Sequence, residues 1–180
     1  IADALESFRA WLKDLIAETL WRGLGLVLLV IAIAMFVALL SHDPADPSLD
    51  VATGREPANW LGGLGSYSAD LLFQLFGVTA LGLAAIVACW GWQLARGLRL
   101  KQYALRLAAA LLGALLLAAS LGAGPDISIL PAGMGGIPGR MAMVFIARIG
   151  SAFGSWLAIA IPIVFASLGL VLGFVATGIG

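Results

Sequence analysis

The chain has 180 residues, of which 62% are apolar and 11% charged, with ten Lys and Arg against ten Asp and Glu. A water-soluble domain of this length needs a polar shell that such a composition does not supply, and a disordered chain is poorer in apolar residues. Zero net charge gives no global attraction to nucleic acid, and one cysteine, Cys89, forms no intramolecular disulfide.

Residues 1–22 carry Asp3, Glu6, Arg9, Lys13, Asp14, Glu18 and Arg22, with Leu5, Phe8, Leu12, Leu15 and Ile16 between them. That spacing predicts an amphipathic helix. With Trp11 and Trp21 it either lies on the membrane surface and runs into the first span, or packs on another part of the protein. Gly23–Leu40 is uncharged and covers roughly 27 Å as a helix, close to the hydrocarbon thickness. It is longer than a signal-peptide core and is followed by Ser41-His42-Asp43-Pro44, so it is read as a retained span.

Residues 41–70 form a breaker-rich loop whose acids, Asp43, Asp46, Asp50, Glu56 and Asp70, face a single Arg55. A second span is expected over 71–92, closing on Trp90-Gly91-Trp92 before Arg96, Arg99, Lys101 and Arg106. A third is expected over 107–123, with Arg106 snorkelling to the interface. A second breaker-rich loop, 124–140, leads to an apolar stretch, 141–149, interrupted by Arg148. This stretch reads as a short surface or re-entrant helix. The fourth span is placed at 156–177, with Pro162 kinking its first half.

These elements predict an all-α integral membrane fold: a cytoplasmic arm, 1–22, and a four-helix transmembrane domain, 23–180. Lys and Arg gather on the cytoplasmic side of spans. The arm holds three, the 93–106 loop four and the 41–70 loop one, which puts both chain ends in the cytoplasm. Arg140 and Arg148 count against this orientation without outweighing it.

The run His42 to Asp50 concentrates oxygen ligands, yet Pro44 and Pro47 interrupt it where a calcium loop needs a glycine turn. Ordinary turn chemistry and a solvated His42 are the favoured readings. Gly133 to Gly139 has Pro138 where a dinucleotide fingerprint requires glycine, and no P-loop lysine follows. A flexible re-entrant turn is favoured there. Ionisable residues are missing within the expected spans, which argues against a pump or transporter. Gly169 and Gly173 are spaced for close helix–helix contact.

Several groups in order resemble the N-terminal membrane domain of the FtsK/SpoIIIE family of DNA translocases. They are Asp46-Pro47-Ser48, then Asn59-Trp60-Leu61-Gly62-Gly63-Leu64-Gly65, then Ala69-Asp70-Leu71 through Leu75-Phe76-Gly77. Trp90-Gly91-Trp92 with Arg96-Gly97, Gly135-Gly136-Ile137-Pro138-Gly139 and Phe153-Gly154 follow. Leu49 stands where the family usually has an aromatic residue.

The resemblance implies a membrane anchor in the bacterial inner membrane at the division septum. It implies contacts with lipids and other cell-division proteins, self-association (hexameric in the family), and a linker to a cytoplasmic ATPase that pumps DNA for chromosome segregation. This segment is expected to bind no cofactor and no DNA; ATP and Mg belong to the motor. The sequence, starting at Ile1 and stopping at Gly180, is read as a piece of something longer. The alternative is a small structural membrane subunit of a channel or transporter complex.

Overall fold

The computed structural model describes residues 2–125, 127, 130 and 132–179. Among the described residues the structure is all-helical, with six helices: α1 (Ala2–Leu40), α2 (Gly62–Phe76), α3 (Thr79–Ala95), α4 (Tyr103–Leu121), α5 (Gly136–Phe153) and α6 (Leu157–Thr177). Helices α1, α4 and α6 are each long and apolar enough to cross a membrane; α2 and α3 reach that standard only together. Exposed Leu, Ile, Val and Phe cover these helices, as a lipid-facing surface requires.

The arm and the first span are one element. At 39 residues, α1 is about 58 Å long, roughly twice the hydrocarbon thickness. No proline stands between residues 5 and 40, and the helix tolerates Gly23 and Gly25, so the intrahelical hydrogen bonds run through the charged arm into the apolar part. Thr19 and Ser41 return their hydroxyls to carbonyls four residues back, at 2.8 and 2.7 Å.

The stretch expected as one span at 71–92 is broken. Helix α2 ends at Phe76, α3 starts at Thr79, and the axes turn by 109°. The cause is Gly77, whose φ of 56° and ψ of −145° an L side chain rarely adopts. With α3 along the membrane normal, α2 runs within about 20° of the membrane plane, the excess of 109° over a right angle. The stretch expected as a short helix at 141–149 is instead the 18-residue α5. Its apolar pattern extends past Arg140 and Arg148 to Phe153, where Gly154 (φ 129°) ends it. Helix α6 continues through Pro162 in its second turn, where the missing amide costs one bond to the preceding turn.

Two antiparallel pairs build the bundle. Helices α1 and α3 meet backbone to backbone, since Cβ atoms at Gly25 and Gly91 would each strike the other helix. Helices α4 and α6 meet in the same way through Gly113 and Gly169. With no hydrophobic drive between helices in lipid, such close approach is what holds them. A buried cluster of Ala38, Leu39, Ala69, Phe73, Ala80 and Leu130 joins the first pair at one end. Another, Ile86, Ala109, Ala110 and Ala176, joins α3 to the second pair.

The pairing gives the molecule two distinct ends. Arg22, Gly97, Arg106 and Gly178 lie together at one, where a Cβ at Gly97 would touch Arg22 and one at Gly178 would meet Arg106. The 41–61 loop, the α2–α3 break, the end of α4 and the start of α5 lie at the other.

Candidate functional site: the looped end of the bundle

A loop leaving a membrane helix must satisfy that helix's last carbonyls, and residues 41–61 do so with their own side chains. Asn59 is buried and donates through Nδ2 to the carbonyls of Ala38, at 2.8 Å, and Ser41, at 3.3 Å. Its Oδ1 accepts from Leu61 N at 3.1 Å, and Trp60 N donates to Ser41 Oγ at 3.1 Å. Asp46, 3% exposed, accepts from Ala58 N at 2.7 Å and Asn59 N at 2.8 Å, one bond to each carboxylate oxygen. The carboxylate thus fixes the residue that caps α1. Pro47 contributes its carbonyl, which accepts from buried Ser66 Oγ at 2.9 Å and ties the loop to α2. Ser48 closes the turn, with Oγ donating to Asp50 Oδ1 and N to Val51 O.

Gly62 opens α2 with its N donating to Asn59 O at 2.8 Å. A Cβ at Gly65 would overlap the Asn59 side chain. Asp70, 8% exposed, accepts from Gln74 Nε2 at 3.0 Å and faces a cleft of about 200 Å³ shared with Asp50, Phe73, Gly133 and Arg140. Asp43 pairs with Arg55 at 3.1 Å; the Ala45 amide on its carboxylate, and then Arg55, hold it below the ordinary range. His42 is not the solvated histidine the sequence suggests. It lies against Phe73 with ring centroids 5.0 Å apart, and neither ring nitrogen has a hydrogen-bond partner among the described residues. Burial pushes its pKa down, against the opposing pull of Asp70, Asp43 and Asp46. No three metal-ligating side chains converge among the described residues.

The glycine run 133–139, expected as a flexible turn, is a packed junction. Val78 N donates to Met134 O at 2.8 Å, and a Cβ at Gly77 would strike that same carbonyl. Gly136, at φ 62°, abuts the last carbonyls of α2. Gly135 and Gly139 abut Ala118 and Gly122 of α4. Three backbones meet where a methyl group would separate them.

The opposite end is tied by side chains. Trp90 Nε1 donates to Ala176 O at 2.7 Å and Gln93 Nε2 to Thr177 O at 2.6 Å, capping the last carbonyls of α6. Arg106 donates to Gln93 Oε1 at 3.3 Å. Among the motif glycines, Gly62 and Gly63 have open Cβ directions, and Gly62 is held by its amide alone, whereas Gly65, Gly77, Gly135, Gly136 and Gly139 are each closely packed. Of the two α6 glycines, Gly169 is buried against Leu117 and Gly113, whereas a Cβ at Gly173 would meet nothing within 4 Å. Ser41, Ser66, Gln93, Gly25, Gly113 and Gly122 were not anticipated. The one sequence signal that could have found any of them is the four-residue spacing of small residues, Ala109 with Gly113 and Ala118 with Gly122.

The family described as the 4TM region of DNA translocase FtsK/SpoIIIE matches residues 18–179. The chain belongs to this family. It is similar to the DNA translocase FtsK of Agrobacterium fabrum, 37% identical over 123 residues that are 67% of this chain and 14% of that protein. DNA translocase FtsK of Rhizobium meliloti is 32% identical over 139 residues, 74% of this chain and 16% of its own length. That of Rickettsia prowazekii is 30% identical over 124 residues, 69% and 16%. The chain thus spans about one-sixth of these FtsK relatives, and what it matches is their membrane region, not a motor. No solved structure matches it.

Proposed function

We propose that this membrane region of a DNA translocase is its mount at the division septum. It holds a cytoplasmic, ATP- and Mg-dependent motor to the inner membrane and presents its looped end to other cell-division proteins during chromosome segregation. The chain itself turns over no nucleotide and grips no DNA. Self-association of the domain accompanies that of the motor.

The observation that carries this reading is the two-ended build. One end is a loop assembly fixed by Asp46, Asn59 and the 133–139 glycines, rigid enough to present a surface. The other gathers Arg22, the 96–102 loop and the C-terminal turn of α6, held by Trp90 and Gln93. The Lys and Arg at this second end support a cytoplasmic position for it, on the side where DNA lies.

The test replaces residues 18–179 of the full-length protein with an unrelated four-span segment of the same sidedness. A fluorescent fusion should stay in the membrane but lose its septal band. A septal band of undiminished intensity would refute septal placement by this domain.

A further inference from the structure

Helices α3, α4 and α6 leave an open groove of about 260 Å³ on the membrane-facing side. Small residues line it, with Gly82 and Cys89 from α3, Gly113 from α4 and Gly173 from α6. Phe174, 64% exposed, forms one rim, and the same ring borders a second cavity of about 280 Å³. That second cavity holds Arg106, one helical turn before Ala110 of the groove, together with Gln102 and Gly178.

Arg106 has no ion-pair partner among the described residues. Beyond Asp70 the sequence has one acid, Asp126, five residues after the last residue of α4 and twenty after Arg106. Arg99, in the loop before α4, turns elsewhere, into a pocket with Asp14 and Glu18. Arg96 lies over the Trp92 ring, 5.8 Å from its centroid. Arg106 therefore stands at the mouth of a narrow apolar trough without a counter-charge.

We propose that this trough is a seat for one anionic phospholipid, with an acyl chain along Gly82, Cys89 and Gly173 and the headgroup phosphate on Arg106. Charge complementarity selects that occupant: basic pockets between membrane helices recruit anionic headgroups, and the trough accepts only an apolar chain. A second copy of the chain fits less well. Any parallel assembly sets the same cations at the same depth, and α6 offers no acid to meet Arg106.

The test titrates the detergent-purified chain with dioleoyl phosphatidylglycerol and dioleoyl phosphatidylcholine and counts retained lipids by native mass spectrometry. One phosphatidylglycerol should be retained in preference to phosphatidylcholine. Arg106→Gln should cut that preference about fivefold, while Arg148→Gln should leave it unchanged. Gly173→Leu should abolish retention of both lipids, since its side chain enters the open trough without displacing a neighbour. Gly82→Leu, equally unobstructed, fills the trough from α3 and should do the same if the first variant misfolds. Equal retention of the two lipids, or no effect of filling the trough, would overturn the proposal. So would competition by glycerol phosphate at equal concentration, or a dimer that Gly173→Leu dissolves.

Discussion

At the residue scale, the looped end depends on two side chains acting in series. Asp46 holds the Asn59 backbone, and the Asn59 amide holds the end of α1. Removing either leaves buried backbone groups unpaired, a cost of about 1–3 kcal/mol. Asp46→Ala and Asn59→Ala should each lower thermal stability in detergent by that order. The double variant should lose less than the sum, because the two act on one contact. Strict additivity in a double-mutant cycle would mean that they cap the loop independently. His42 sets a pH dependence at the same end. Its folded pKa is depressed by burial, so below the unfolded value of about 6.5 the unfolded chain takes up a proton that the folded one refuses. Stability is therefore full above that pH and falls as pH drops through 6.5 towards the folded value. Thermal melts of His42→Phe should be flatter between pH 7.5 and 5 than those of the parent; an identical slope would assign the effect to other groups.

At the scale of elements, backbone approach decides what holds together. Gly169 and Gly173 sit one turn apart on α6, yet only the first is roofed by α4. Gly169→Leu should destabilise the bundle by about 1–3 kcal/mol, the usual cost of overpacking, whereas Gly173→Leu should stay close to the parent. Equal losses would show that both face α4. Gly77 combines a backbone conformation that favours glycine with contact against the Met134 carbonyl. Gly77→Ala should cost about 1–3 kcal/mol and open the α2–α3 junction, read as faster amide exchange at Val78. Unchanged protection there would mean that the bend survives without glycine. Hydropathy made α1, α4 and α6 legible, because an uncharged run of that length has no other stable home. The 109° bend was not legible, since Gly77 stands in an uncharged run and nothing local distinguishes a tolerated glycine from a broken helix. The continuous α1 was obscured for a related reason: charge marks the membrane boundary, and a helix crosses that boundary without stopping.

At the scale of the whole molecule, the motif positions that the sequence marked by resemblance alone acquire physical reasons. Asp46, Asn59 and Gly65 make one joint, Gly77, Gly135, Gly136 and Gly139 another, and Trp90 a third. Their partners come from distant parts of the chain, as in the Trp90 bond to Ala176, which is why sequence spacing identified the residues but not what they do. In the function proposed above, one end faces the cytoplasm and carries the motor while the looped end faces away. Single cysteines at Ala52→Cys and Lys101→Cys, both exposed and at opposite ends, test it directly in a Cys89→Ala background. A membrane-impermeant maleimide applied to cells with a permeabilised outer membrane should label position 52 at once and position 101 only after the inner membrane is broken. Labelling of 101 but not 52 in intact cells would invert the topology and leave a cytoplasmic motor nothing to hang from.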